Sequence, residues 1–213
     1  MKSTDTKPEK FKRPSNLSED QKREILAKIW AKDPSAFTDD PALQEKIGAR
    51  LGWVDAPERM RPHVPELKSF AQEIKENFAH IVHCGMGGSS LFPLALAKIF
   101  GPEPGWPEYI VLDTTDPEEI ARVEEECDLK KTLFIIASKS GTTVETVSQF
   151  RYFWAKMEGL SQSPGAHFVA LTDEGSPLHR EAEEKGFRKV FLNPADVGGR
   201  YVALTFVGLL PAA

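Results

Sequence analysis

The sequence predicts an α/β protein: a five-stranded parallel sheet flanked by helices, preceded by a helical extension. Three observations lead there. From residue 80 onward, short apolar runs alternate with helical patterns. Each run is only a few residues long and apolar throughout, as expected for strands buried on both faces. Loops rich in glycine and hydroxyl residues follow the first and third runs, the place where open parallel sheets bind ligands.

Residues 1 to 16 are polar and lysine-rich and contain Pro8 and Pro14. They read as a disordered arm or linker. Residues 17–78 read as the helical extension. Ser18 with Gln21 forms a capping-box pattern ahead of Ile25, Leu26, Ile29 and Trp30, and Asp33-Pro34 ends that helix. A second helix is expected from Pro41 to Leu51, with Leu43, Ile47 and Leu51 on one side and Gly52 just past its end. Trp30, Phe37 and Trp53 are expected as packing anchors, with carbohydrate stacking as the alternative. A third helix is expected over Val64 to Asn77.

Residues 79–213 read as the α/β domain. The expected strands are Ile81 to Cys84, Tyr109 to Leu112, Leu133 to Ala137, His167 to Leu171 and Lys189 to Leu192. The expected helices are Leu91 to Phe100, Pro117 to Glu126 behind an Asp116 cap, Thr143 to Met157, and Pro177 to Lys185. Right-handed crossovers place every strand-to-helix loop at one edge of the sheet. Residues 193–213 open with a glycine-rich turn and finish apolar, without a cap or polar tail; we expect a longer natural chain.

A chain of 213 residues that is 40% hydrophobic supports a sizeable core. A net charge of −5 leaves no global basic field, which argues against a nucleic-acid partner. No apolar run approaches membrane-spanning length and the N-terminus lacks a signal core, so no membrane partner and a cytoplasmic location are expected. Cys84 and Cys127 match no metal or redox spacing and are expected as reduced thiols. No metal site is expected.

Three stretches carry candidate chemistry. The first is Gly85-Met86-Gly87-Gly88-Ser89-Ser90, in which glycines let backbone amides approach an anion. It lacks the third glycine of the dinucleotide fingerprint and any Walker lysine, which weakens a nucleotide reading. A close strand–helix contact is the bland alternative. The second is Ser138-Lys139-Ser140-Gly141-Thr142-Thr143-Val144-Glu145-Thr146, where a strand runs into a helix N-terminus. Thr142 and Glu145 fit a capping box, which leaves Ser138, Ser140, Thr143 and Thr146, with Lys139 as cation, for a phosphate. The third is Gly198-Gly199-Arg200-Tyr201. Arg200 stays cationic at any working pH and suits a developing oxyanion, or else forms a surface salt bridge. His83 and His167 fall in expected strands and are read as core or edge residues.

Taken together, in order and spacing, these stretches resemble the glucose-6-phosphate isomerase family from about residue 80 to the end. The resemblance implies the first sugar-isomerase (SIS) domain of a two-domain enzyme, a Rossmann-like three-layer sandwich whose second domain is missing here. Trp30-Ala31-Lys32-Asp33-Pro34-Ser35 and Arg50-Leu51-Gly52-Trp53 resemble the isomerase half of bacterial bifunctional transaldolase/glucose-6-phosphate isomerases. The family likeness implies that Ser138, Lys139 through its backbone at least, Ser140, Thr143 and Thr146 hold the sugar phosphate. It implies that Gly88 and Ser89 contact the sugar, and that Gly199 and Arg200 steady an enediolate. Val202 and the pair Ser140-Gly141 depart from common family patterns. The family needs no cofactor, is commonly dimeric, and draws its base glutamate, ring-opening histidine and late lysine from sequence downstream of residue 213. The expectation is therefore a chain that binds glucose 6-phosphate or fructose 6-phosphate but lacks the base. The alternatives are a non-catalytic sugar-phosphate-binding module and a nucleotide-binding oxidoreductase.

Overall fold

The computed structural model describes residues 17–213; the expected arm at 1–16 lies outside them. Five strands form one sheet: β1 (His80–Gly85), β2 (Glu108–Leu112), β3 (Thr132–Ala137), β4 (Phe168–Thr172) and β5 (Lys189–Leu192). Their spatial order is β2-β1-β3-β4-β5, with every neighbouring pair parallel. The order reverses at β1, so the chain leaves β1 and β3 in neighbouring crossovers of opposite sense. In doubly wound sheets that switch point opens the crevice for a ligand. The register pairs Gly85 with Ala137, so the loops after β1 and β3 begin side by side.

Alternation along each strand divides the core into two layers. Leu133, Ile135 and Ala137 of β3 join Val169, Leu171 and Phe191 on one face. Helices α4 (Val64–Asn77) and α9 (Phe206–Ala212) cover that face. Leu67, Phe70, Ala71 and Ile74 give α4 its buried stripe at helical spacing. Phe134 and Ile136 face the other way, with Val82, Cys84, Phe168 and Ala170. Helices α6 (Pro117–Glu126), α7 (Val144–Leu160) and α8 (Pro177–Glu184) cover that second face. Here Phe134 stacks on Phe153 at 4.6 Å and on Phe168 at 5.1 Å between ring centroids. Both cysteines are buried and free, and burial pushes both thiols up, that of Cys127 to about 11, so neither offers a thiolate near neutrality.

The extension departs from expectation. Helix α1 (Glu19–Trp30) has its Ser18–Gln21 capping box, but neither it nor α2 (Pro41–Gly48) buries a residue. Trp30 is 71% exposed and Phe37 49% exposed, so neither anchors the core. Helix α2 stops at Gly48 because the backbone beyond it is taken elsewhere. Leu51 bridges Val197, and the Gly52 amide donates to the Asp196 carbonyl at 2.9 Å. Trp53 does find a partner, stacking on Tyr201 at 5.6 Å.

Truncating Phe153 to alanine removes a fully buried ring from the α7 layer. The expected loss is about 3–5 kcal/mol of unfolding free energy. Urea titration would show a lower midpoint with an unchanged slope; a midpoint equal to wild type would contradict the packing described.

Candidate functional site

The loop after β1 leads into helix α5 (Gly88–Phe100), so the glycine loop itself forms the helix's first turn, three residues earlier than predicted. That start needs two glycines. Gly87 sits at φ +57°, and Gly88 lies so close to the Gly199 carbonyl that a Cβ there would come within 1.8 Å of its oxygen. The close contact foreseen for this loop is therefore made to the Gly199–Arg200 segment as well as between strand and helix. Ser89 is half-buried. Its carbonyl has no helical donor, because the residue four positions on is Pro93, which has no N–H. His83 of β1 fills the vacancy, its Nε2 donating to the Ser89 oxygen at 2.7 Å. The imidazole Nδ1 then accepts from the Tyr109 hydroxyl at 2.7 Å. His83 is fully buried, and burial lowers its pKa to about 4, so the neutral tautomer fits both bonds. Sequence reasoning read His83 as a core or edge residue and missed this bond; Pro93 four residues after Ser89 was the available signal.

In the turn after β3, the expected capping box does not form. Gly141 adopts φ +66° in the turn, and Thr143 stays extended at ψ 114°, so α7 begins at Val144 with Thr143 as its N-cap. The position that could answer Thr143 in a box is then Thr146 instead of Glu145. Thr142 instead contacts Ser140, hydroxyl to hydroxyl, at 2.9 Å. No side chain caps α7, which leaves the donor end of a 17-residue helix open. A Cβ on Gly141 would also meet the Leu178 amide nitrogen at 2.6 Å, so the turn sits tightly against the start of α8.

The hydroxyls fall into two tiers. Ser140 and Thr142 are exposed and Thr143 is half-buried. Ser138 is buried and donates to the Thr143 hydroxyl at 3.2 Å. Beneath them Thr172 Oγ1 donates to the Ser138 carbonyl at 2.7 Å, while it and the Ser176 hydroxyl are in mutual contact at 2.7 Å. Thr146 is fully buried, and its hydroxyl has no partner among the described residues. A direct ligand contact from Thr146 therefore requires the turn to open.

Lys139 does not point its ammonium at the open helix end as a free cation. It pairs with Asp173 and donates to the Ala195 carbonyl at 3.0 Å. Burial raises the Asp173 carboxyl above its ordinary range, and Lys139 works in the opposite sense. The third stretch enters a short 3-10 turn, Gly199–Leu204. Gly199 and Arg200 are exposed, and Arg200 makes no ion pair among the described residues. The extension fastens this segment. Arg59 Nη1 reaches both Asp196 oxygens at 2.9 and 2.8 Å and holds that carboxyl below the usual range. The structure thus brings Gly88 and Gly199 into contact and sets the hydroxyl turn on the adjacent strand, with Ser138, Ser140 and Thr143 together.

The His83 arrangement has a measurable pH signature. An unfolded histidine binds a proton below about 6.5, whereas the native ring resists until about pH 4. Between those values unfolding takes up a proton, so this contribution is complete above pH 6.5 and is lost as pH falls toward 4. Across the window wild type is expected to lose about 2–3 kcal/mol from this group. Denaturant titrations at pH 7 and 4.5 should show that loss shrinking sharply in His83→Gln; an equal loss in both proteins would refute the buried neutral ring.

Comparison with known proteins agrees with this architecture. A family model described as phosphoglucose isomerase matches residues 55–213. A glucose-6-phosphate isomerase of Thermus thermophilus is 36% identical over 209 residues, a match covering 97% of this chain and 45% of that protein. A crystal structure of a hypothetical protein from Thermus thermophilus superposes with a TM-score of 0.73 at 35% identity, covering 91% of this chain and 42% of the other. A glucose-6-phosphate isomerase from Chlamydia trachomatis superposes at 0.63 with 29% identity, covering 84% and 33%. The chain spans less than half the length of the curated relatives it matches. On the match over residues 55–213, this chain belongs to the phosphoglucose isomerase family.

Proposed function

We propose that the protein interconverts glucose 6-phosphate and fructose 6-phosphate, and that this chain carries the half of the site that binds the sugar phosphate. The observation that carries the reading is the convergence at the switch point. The loop after β1, the turn after β3 and the Gly199–Arg200 segment meet at one edge of the sheet. A phosphate dianion asks for several neutral donors and a positive field. Ser140 and Thr143, with Ser138 behind them, supply hydroxyls, the backbone at Lys139 lines the same turn, and the uncapped α7 N-terminus supplies field and amides. Thr146 lies one step deeper and joins the phosphate shell when the turn opens.

Gly88 and Ser89 take the sugar end in this reading, beside Gly199. Isomerisation moves a proton between C1 and C2 through an enediolate. Arg200, exposed and without an ion pair among the described residues, is assigned to the developing oxyanion, where a fixed guanidinium favours the transition state over the ground state. The base and the ring-opening acid are assigned to sequence that the longer relatives carry beyond the matched part. Residues 1–213 by themselves are accordingly expected to bind the sugar phosphate without turning it over. On the family pattern we extend the reading to a cytoplasmic homodimer.

In the intact protein, Ser138→Ala and Thr143→Ala should each weaken fructose 6-phosphate binding by about 1 kcal/mol or more, read by calorimetry. Arg200→Ala should chiefly lower kcat in a coupled assay. Unchanged affinity in Thr143→Ala would remove the turn from the phosphate site. Binding without turnover in the intact protein would favour the non-catalytic sugar-phosphate module.

A further inference from the structure

Lys139 is the cation of the hydroxyl-rich turn, yet its side chain leaves the open end of α7. It crosses the end of β4 to Asp173 and continues to the carbonyl of Ala195. Ala195 precedes Asp196, which the extension clamps through Arg59 and the Gly52 amide. Three residues further on, the Gly199 carbonyl rests against Gly88. Among the described residues, the Lys139–Ala195 bond is the one side-chain hydrogen bond joining the turn at 138–143 to the segment at 194–201. Asp173 is well placed to hold the lysine in that direction. Its own backbone amide donates to the Lys139 carbonyl at 3.1 Å, so both ends of the lysine are gripped by one residue.

We propose that Lys139 is a positioning residue. Its side chain, held by Asp173, struts the binding turn against the segment that carries Arg200, and it is not the turn's phosphate cation. The proposal rests on the isomerase reading for its consequence, which is that turn and arginine keep a common register. The strut itself is independent of that reading.

The two roles predict different patterns. As a strut, Lys139→Met and Asp173→Asn break the same link and must act alike. As a phosphate cation, Lys139→Met weakens sugar-phosphate binding, whereas Asp173→Asn releases the lysine and strengthens it. The test uses the intact protein, with hydrogen exchange followed by mass spectrometry over 195–201 and fructose 6-phosphate affinity measured by calorimetry. Both variants are expected to accelerate exchange over 195–201 by roughly tenfold or more, and to move affinity in the same direction. Unchanged exchange in both variants, or affinity shifts of opposite sign, would overturn the strut. If wild type fails to bind fructose 6-phosphate, the functional reading falls, while the exchange data still decide the role of Lys139.

Discussion

Where the strands end, backbone groups that the sheet no longer pairs must find partners without water, since a buried carbonyl left unpaired costs about 1–3 kcal/mol. The chain meets that constraint with groups from nearby strands and their ends. His83 answers the Ser89 carbonyl, Thr172 answers Ser138, and the Asp173 amide answers Lys139. Each of these bonds also fixes a loop that faces the switch point. The shape of the candidate site is thus a by-product of satisfying carbonyls just past β3 and in the first turn of α5, and the exposed hydroxyls stand on that foundation.

The foundation separates two jobs that one turn performs. Thr172 and Ser176, joined hydroxyl to hydroxyl, hold the turn from below, and Ser176 also caps α8 by accepting from the His179 amide. Ser140, Thr142 and Thr143 remain on the outside. In the proposed reading, a ligand anion at the end of α7 meets these outer hydroxyls with little reorganisation, and Thr146 alone waits on an opening of the turn. The helical extension joins this scheme through Asp196 and through the Trp53–Tyr201 stack.

Much of the framework was legible in the sequence, because strands buried on both faces leave compact apolar runs and helix starts leave caps. Val64–Asn77, Pro117–Glu126 and Lys189–Leu192 fall where the pattern puts them. The misses share one cause: they depend on who stands next to whom. Trp30 and Phe37 look like core residues until one knows that the described residues leave them largely exposed. The Thr142–Glu145 box fails because Thr143 is extended, with ψ at 114°, which moves the helix start by one residue. The directions of Lys139 and His83 follow from the strand order, with β4 beside β3 and β2 beside β1, and no local spacing encodes that order.

The contact between Gly88 and Gly199 has an evolutionary reading. The constraint is one-sided: a methyl at 88 would strike the Gly199 oxygen, whereas a methyl at 199 would meet nothing within 4 Å. Packing among the described residues therefore forbids drift at position 88 and permits it at 199. A glycine kept at 199 in descendants of this sequence would answer to something other than packing among the described residues, such as the sugar-phosphate site proposed beside Arg200.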